Sequence, residues 1–293
     1  MNGEFVPDYD TLVQLMAVPL LLAATSQSGV PALALDVWAA YELRRAGLDP
    51  DGVWARAPPP RGGGPEVLKF IRALPATHRE GLLSRLVRGS GHGGVAAASA
   101  SILGKNYFKQ VDVIMTSWRT GPEILISTKR MDSSFGNNAA NRVEESYGDA
   151  KNLALRHPLA ALGFVYSLRS TAYTDARRHF DWLVDLLIKL GREDDAYDAC
   201  ALIVPEWDDD VLRSRSAEAR SRRTAADDGS GSGSAADVEA ALAALPTLGV
   251  SLRHDLVPAE LSPARFFGRT MEIVLAHSTV NDHRRARELY AMR

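Results

Sequence analysis

The chain has 293 residues, of which 46% are hydrophobic and 24% are charged, and this composition is ordinary for a soluble globular protein. The length is sufficient for one large domain or two modest ones with a substantial core. The formal net charge is −2, so the molecule as a whole has no electrostatic attraction to nucleic acid. A single cysteine, Cys200, excludes an internal disulfide framework and a cysteine-rich zinc site, and the simplest compartment is therefore the cytoplasm.

The first part of the chain is predicted to form two helices. The segment 15–24 is apolar, but Pro19 interrupts it and it is too short to span a bilayer, so we expect a buried helix and no membrane partner. The next helix has Pro31 at its start and Gly47 at its end. The sequence APPPRGGGP at 57–65 has the composition of a linker, which separates this helical region from the middle of the chain.

The middle of the chain alternates between strands and helices. The segments 110–118 and 123–129 have the pattern of strands and are joined by the short turn RTGP, which predicts a hairpin. Strands are also predicted over 161–170 and 196–207, and helices over 138–156 and 175–191. Continuous apolar strands that alternate with helices favour an α/β fold whose sheet is covered on both faces.

After residue 207 the pattern weakens. The sequence from 213 to 223 contains five arginines, and the sequence from 225 to 237 is a low-complexity insert. A further helix is predicted over 263–277. We therefore expect four regions, which are an N-terminal helical region (1–60), an α/β core (61–210), a basic and flexible insert (211–237) and a C-terminal helical region (238–293).

Four polar side chains are expected to meet at one edge of this sheet. Asp112 lies near the start of the first strand of the hairpin. Ser127 and Lys129 lie on one face of the second strand, because residues two apart in a strand share a face. Glu144 lies 15 residues beyond Lys129, at the border of the apolar face of the next helix. A carboxylate such as Asp112, flanked by apolar residues, costs free energy unless it is paired or metal-bound.

Two carboxylates and a lysine at such an edge match the needs of phosphodiester hydrolysis. Asp112 and Glu144 would bind Mg²⁺, with Mn²⁺ as a substitute, because Mg²⁺ takes oxygen ligands and keeps several waters. The metal polarises the phosphate and lowers the pKa of a bound water, and Lys129 would orient that water and stabilise the developing negative charge. Between residues 105 and 171 there are nine Lys or Arg against six Asp or Glu, which permits a nucleic-acid partner without indicating one.

The order of these elements, with Asp112, Ser127-Thr128-Lys129 and Glu144, resembles the PD-(D/E)XK nuclease superfamily, which includes most restriction endonucleases. The resemblance covers about residues 80–207. It implies a restriction-endonuclease-like central mixed sheet flanked by helices, with helical additions at both ends of the chain. It also implies Mg²⁺-dependent cleavage of DNA in restriction or another defence against foreign DNA, and it raises the possibility of a homodimer or of partner subunits from a defence system.

The sequence departs from the superfamily pattern at two positions. The pattern has an acid two residues before the lysine, where this chain has Ser127, and a proline before the first aspartate, where it has Val111. Some restriction endonucleases have Ser-x-Lys with a glutamate on the next helix, and Glu144 fits that displaced role. Glu145 is an alternative for the same role, because helix boundaries are uncertain at the level of sequence. A catalytically inactive nuclease-fold module that binds DNA or another protein is the alternative function.

Further polar residues are candidates for contacts with the substrate. The loop 132–138 emerges at the same edge and carries Asn and Ser side chains suited to phosphate or base contacts. The candidate DNA-binding residues are Arg130, Asn137, Asn138 and Arg142. In many members of the superfamily a helix before the strands contributes an acid, and Glu80 would hold that position. For Glu80, however, a surface ion pair with Arg79 or Arg85 is the favoured interpretation.

Overall fold

The computed structural model describes residues 4–25, 28–54, 65–88, 101–117, 119–136, 139–210, 239, 242–243 and 245–292. The insert predicted at 211–237 lies outside these residues, and so do Asn137 and Asn138.

A mixed sheet of five strands forms the centre of the fold. In chain order the strands of the described residues are β1 (Val53–Trp54), β2 (Ser101–Leu103), β3 (Phe108–Gln110), β4 (Val113–Ser117), β5 (Gly121–Met131), β6 (Ala161–Leu168), β7 (Ala199–Ile203), β8 (Pro205–Glu206) and β9 (Ser251–Leu252). The central sheet has the spatial order β1-β4-β5-β6-β7, while β2 pairs with β3 and β8 with β9. The β1–β4 and β4–β5 pairs are antiparallel, and the β5–β6 and β6–β7 pairs are parallel. The prediction of an α/β fold with a mixed central sheet is confirmed.

Helices flank this sheet. They are α1 (Tyr9–Leu21), α2 (Val30–Arg45), α3 (Pro65–Ala73), α4 (Ala76–Arg88), α5 (Ala139–Ala154), α6 (Thr171–Asp175), α7 (Arg177–Leu190), α8 (Pro263–His277) and α9 (Arg284–Ala291). Short 3₁₀ turns occupy 245–248, 254–256 and 259–261. Across the parts of the chain that the structure describes, no helix has the length and hydrophobicity needed to span a membrane.

Local sequence explains where several of these helices begin. Asp8 caps α1, because its side chain accepts a hydrogen bond of 3.0 Å from the backbone N–H of Thr11. Helix α2 has Pro31 in its first turn, where the missing N–H would have no partner within the helix. Helix α8 follows Ser262, whose hydroxyl accepts from the backbone N–H of Arg265.

Two hydrophobic cores lie on the two faces of the sheet. On β5, Ile124 and Ile126 belong to the core that contains α1, α2 and α8, while Leu125 and Met131 belong to the core that contains α5 and α7. This alternation is expected because successive residues of a strand point to opposite faces. Every residue of β6 and β7 is buried, as in strands that are covered on both sides.

The first of these cores joins both ends of the chain to the sheet. It contains Phe5 and Trp38 from the N-terminal part, Val113 from β4 and Phe267 from α8. The rings of Trp38 and Phe267 meet edge to face with their centroids 5.3 Å apart. Burial of each such side chain stabilises the fold by about 1.5–3 kcal/mol. The predicted boundaries at 60 and 238 therefore do not separate hydrophobic cores.

The two strands of the predicted hairpin differ in length, and this leaves one side of β5 open. The β4–β5 ladder ends at the pair Val113 and Ile126. On its other side β5 continues beside β6 as far as the pair Met131 and Leu168. Within the described part of the chain, residues 127–131 of β5 therefore have a strand partner on one side alone.

The single strand predicted over 110–118 differs from the structure. Strand β3 ends at Gln110 and belongs to the ribbon with β2, whereas β4 begins at Val113. Asp112 lies between them and contacts β5 through its side chain. Strand β1 and the β2–β3 ribbon have no counterpart in the sequence prediction, because segments of two or three residues carry too little periodicity to be recognised.

Candidate active site

Asp112 and Thr128 meet on the open side of β5. The backbone N–H of Thr128 donates a hydrogen bond of 2.8 Å to Oδ2 of Asp112. Because Asp112 directly precedes β4, a side-chain oxygen satisfies this donor in place of a backbone carbonyl from that strand. The structure thus brings Asp112 against the strand that carries Ser127 and Lys129, as the sequence predicts.

A carboxylate that sequence reasoning missed joins this contact. The hydroxyl of Thr128 donates a hydrogen bond of 2.5 Å to Oδ1 of Asp36 in α2. Thr128 therefore links two carboxyl groups, one through its backbone and one through its side chain. Glu80, the candidate acid from a helix before the strands, is exposed on α4, as expected for a surface residue.

The sequence does contain a weak signal for Asp36. It is the single acid in the apolar run ALALDVWAA, and its neighbours Leu35 and Trp38 are fully buried. A carboxylate in such a run costs free energy unless it finds a partner, which is the same reasoning that singled out Asp112.

Burial disfavours the charged forms of both carboxyl groups. Burial raises the pKa of Asp36 from 3.8 to about 7, and the negative charge of Asp112 contributes to this rise. The hydrogen bond from Thr128 and the positive charge of Lys129 lower the pKa of Asp36 but do not cancel the rise. Burial likewise raises the pKa of Asp112, although the Thr128 N–H, Lys129 and Lys109 all favour its ionised form. A bound cation would stabilise the doubly ionised pair.

Lys129 is the cation that acts on both acids. It is partly buried on β5, opposite Tyr166 of β6. Its ammonium charge lowers the pKa of Asp36 and of Asp112 against the effect of burial. Lys129 is therefore near enough for its charge to act on both acids, and its catalytic role stays a prediction.

Ser127 lies on β5 near Tyr197. Ser127 is 8% exposed, and its side chain acts on the hydroxyl of Tyr197, whose pKa is raised mainly by burial. That hydroxyl in turn donates a bond of 3.0 Å to the backbone carbonyl of Ser146 in α5. The ring of Tyr197 stacks on Phe164 of β6 at a centroid distance of 4.9 Å. The predicted role of Ser127 in holding the strand edge stays a prediction.

Glu144 and Glu145 are both exposed on α5. The charges that act most strongly on Asp112 include those of Lys109 and Asp149, and neither glutamate is among them. Asp149 is the acid of α5 that is buried, and it forms an ion pair with Lys109 of β3. The role of Glu144 as a metal ligand stays a prediction.

The predicted DNA-binding residues have different positions. The side chain of Arg130 is only 2% exposed and forms an ion pair with Asp132. It also donates to the backbone carbonyl of Pro31 at 3.3 Å and lies over the ring of Trp207. In this structure Arg130 therefore holds the start of α2 against the sheet and presents no free surface to DNA. The side chain of Arg142, in α5, lies outside the described residues, as do Asn137 and Asn138.

Asp36 and Asp112 fit a small, hard cation. Mg²⁺ is commonly held by one or two carboxylates together with substrate phosphates, and it keeps several waters. Both side chains offer oxygen ligands. Ionising both buried carboxyl groups costs free energy, and a divalent cation bound between them would offset that cost. Among the described residues, no group of three or more His, Cys, Asp and Glu side chains is arranged around one point, so a closed structural metal site is not indicated there.

A second charged region lies at the other end of the β4–β5 hairpin. A cavity of about 630 Å³ is lined there in part by Arg119, Glu123, Asp282 and His283. Nε2 of His283 lies 2.7 Å from Oε2 of Glu123, and Arg119 forms an ion pair with Asp282. Glu123 and Asp282 therefore each have a side-chain partner within the protein.

Comparisons with protein-family models, with curated proteins and with solved structures find no match to this chain. Function is therefore inferred from the residues and the geometry of the chain itself.

Proposed function

We propose that the protein is an Mg²⁺-dependent endonuclease that hydrolyses DNA phosphodiester bonds, in restriction or another defence against foreign DNA. The observation that carries this proposal is the meeting of Asp36 and Asp112 at Thr128, on the open side of β5, where the charge of Lys129 acts on both acids. Paired carboxylates for a metal and an adjacent ammonium group are the side chains that this hydrolysis requires.

The order of the elements supports a restriction-endonuclease-like core. The hairpin of β4 and β5 brings together Asp112 and Lys129, and α5 and the parallel strand β6 come after it in the chain. This is the order on which the resemblance to the PD-(D/E)XK superfamily rests. Helix α2 precedes β1 at the start of the sheet, and its Asp36 would supply the additional acid that many members of the superfamily have in a helix before the strands.

Each side chain has a distinct role in the proposed reaction. Asp36 and Asp112 would hold Mg²⁺, which would supply a Lewis acid to polarise the phosphate and lower the pKa of a water. Lys129 orients the attacking water and stabilises the negative charge that grows on the phosphate oxygens. Thr128 fixes the two carboxyl groups and Ser127 fixes the strand, so the groups that face the substrate are held in position before it binds.

Incubation of supercoiled plasmid DNA with the purified protein, in Mg²⁺ and in EDTA, tests the proposal. Asp112→Asn nearly preserves the side-chain volume and an oxygen that can accept from Thr128, but it removes the charge, so we expect loss of cleavage and of Mg²⁺ binding in calorimetry. Asp195→Asn is the matched control, because Asp195 is a partly exposed acid that pairs with Lys151, and it should retain both properties. Undiminished cleavage by Asp112→Asn, or by the wild type in EDTA, would contradict the proposal.

A nuclease-fold protein that has lost cleavage is the second candidate. Ser127 occupies, in a buried position, the place where the superfamily pattern has an acid. The part of the chain that the structure describes also contains no third carboxylate grouped with Asp36 and Asp112. Such a module would bind DNA or a partner protein without cutting it. Binding of DNA in EDTA by a wild-type protein that leaves plasmid intact in Mg²⁺ and in Mn²⁺ would favour this function.

A further inference from the structure

The ribbon of β2 and β3 is anchored to α5 by Asn152. Its side-chain oxygen accepts from the backbone N–H of Asn106 at 2.8 Å, and its amide nitrogen donates to the backbone carbonyl of Tyr107 at 3.1 Å. The backbone carbonyl of Asn152 accepts from the N–H of Lys105 at 2.8 Å. The turn between β2 and β3 is therefore bound to the helix at three successive residues.

Further contacts fix the same turn. A Cβ atom at Gly104 would come within 2.0 Å of the Asn152 side chain, so this close approach requires glycine. The hydroxyl of Tyr107 donates to Oδ1 of Asp149 at 3.0 Å, and Lys109 forms an ion pair with the same carboxylate. The ribbon is thus a preorganised element.

The register of the ribbon determines which side chains face solvent. Leu103 pairs with Phe108, and Ile102 pairs with Lys109. Lys109 points toward Asp149 of α5, so its neighbour Phe108 points away from that helix. Phe108 is 71% exposed as a result. The contacts with Asn152 and Asp149 that order the ribbon therefore also keep the Phe108 side chain exposed to solvent.

The outer face of the ribbon adjoins the candidate active site and carries positive charge. Of the two lysines between residues 101 and 111, Lys109 is paired with Asp149, whereas Lys105 is exposed, and this segment contains no acid. Tyr107, beside Phe108, is 45% exposed. Strand β3 leads through Val111 directly to Asp112. DNA bound at Asp112 would therefore pass close to these aromatic and basic side chains.

We infer that this outer face binds the DNA substrate, with Phe108 stacked on a base that is unpaired or unstacked near the cleaved phosphate and Lys105 close to the backbone. The inference rests on the proposed function, because it supplies the substrate contact for that site. Every base offers a π-face, so a stacking phenylalanine contributes affinity for distorted or single-stranded DNA without reading its sequence. An aromatic wedge of this kind also lowers the cost of opening a base step.

Equilibrium binding in EDTA tests this inference without cleavage. The probes are a fluorescein-labelled duplex with a central mismatch and the fully paired duplex, followed by fluorescence anisotropy. Phe108→Ala should weaken binding of the mismatched duplex by roughly 5- to 150-fold, which is the range for loss of one base-stacking side chain. Phe108→Trp should retain the affinity. Phe70→Ala is the matched control, because Phe70 is a phenylalanine of similar exposure (65%) on α3, and it should bind as the wild type does.

The outcomes separate this inference from the proposed function. Wild-type protein that cleaves plasmid while Phe108→Ala binds both duplexes normally would overturn the inference and leave the nuclease intact. Wild-type protein that does not cleave, but loses DNA affinity on Phe108→Ala, would support the inference and favour the inactive module. Unchanged DNA binding together with a Phe108-dependent change of oligomeric state in sedimentation would show that the face binds a second copy of the chain, which also overturns the inference.

Discussion

Thr128 and Asp36 are joined by a hydrogen bond of 2.5 Å between strand β5 and helix α2, 92 residues apart in the chain. The backbone N–H of the same threonine holds Asp112 at 2.8 Å. One residue thus fixes two carboxyl groups whose ionised forms are disfavoured by burial. A ligand that brings positive charge would stabilise the ionised forms of these two acids, which the fold already holds in place.

Thr128→Val should raise the pKa of Asp36 further. Valine has nearly the shape of threonine and suits a buried strand, and its backbone can still donate to Asp112, but it lacks the hydroxyl that favours the ionised form of Asp36. We expect the unfolding free energy to fall by roughly 1–3 kcal/mol at alkaline pH, where the hydrogen bond to a charged acceptor is lost. The pKa is followed by the ¹³C chemical shift of the Asp36 carboxyl. Thr128→Ser keeps the hydroxyl and should titrate like the wild type, so identical titrations of the Val and Ser variants would contradict this role.

The raised pKa of Asp36 predicts that stability without metal falls as the pH rises. The carboxyl titrates near 3.8 when unfolded and at about 7 when folded, so between these values the folded state holds an extra proton. Its contribution is fully present below about pH 4 and is lost as the pH approaches about 7. The loss is at most about 4 kcal/mol, since one pKa unit corresponds to about 1.4 kcal/mol. Asp36→Asn should remove the contribution of Asp36 and leave a shallower slope from Asp112, whose pKa is also raised, in urea unfolding measured across that pH interval in EDTA.

Mg²⁺ should stabilise the wild type most clearly at alkaline pH, where both acids are ionised. A ligand that binds the folded state alone stabilises it by about 2.7 kcal/mol at one hundred times its Kd. Asp36→Asn should lose most of this response. Asp185→Asn is the control, because Asp185 is an exposed acid that pairs with Lys189 in α7, and it should keep both the pH slope and the response to Mg²⁺. A wild-type melting temperature that is independent of Mg²⁺ would count against the metal site.

The hairpin can be predicted from sequence because its information is local. Two apolar runs around a Gly-Pro turn predict β4 and β5, and strand alternation places Ser127 and Lys129 on one face. The position of Asp36 cannot be predicted in this way, because its approach to β5 depends on how α2 packs on the sheet. No spacing rule relates segments so far apart in the chain. Glu144 shows that predicting a helix does not predict which of its side chains face the core. Chain order predicts a helix after β5, but the rotation of that helix, which exposes Glu144 and buries Asp149, is set by tertiary packing.

Lys129→Ala should lower the rate of DNA cleavage by about 100-fold or more, the usual effect of removing a group that stabilises transition-state charge. Its ammonium group also favours the ionised forms of Asp36 and Asp112, so Mg²⁺ affinity should change as well. Circular dichroism should show an intact fold. Lys151→Ala, which removes an exposed lysine paired with Asp195, is the control and should cleave normally. Nicking of plasmid DNA by Lys129→Ala at the wild-type rate would remove this residue from the site.

A comparison of the single variants Asp36→Ala and Glu144→Ala decides which acid accompanies Asp112 at the metal. Asp36 is partly buried and bound to Thr128, whereas Glu144 is exposed, so we expect Asp36→Ala to lose about 100-fold or more in cleavage rate and Glu144→Ala to lose much less. The rates are compared at saturating Mg²⁺, with folding checked by circular dichroism.

The opposite ranking would mean that α5 turns Glu144 inward when metal and DNA bind, and that Asp36 has a structural role. In that case Ser127→Asp should restore part of the activity of Glu144→Ala, because it places a carboxylate two residues before Lys129 on the same strand face. The restoration should be incomplete, since the new oxygen approaches from another direction and Mg²⁺ demands near-ideal geometry. If Ser127→Asp restored activity to Glu145→Ala but not to Glu144→Ala, the displaced carboxylate would instead be Glu145.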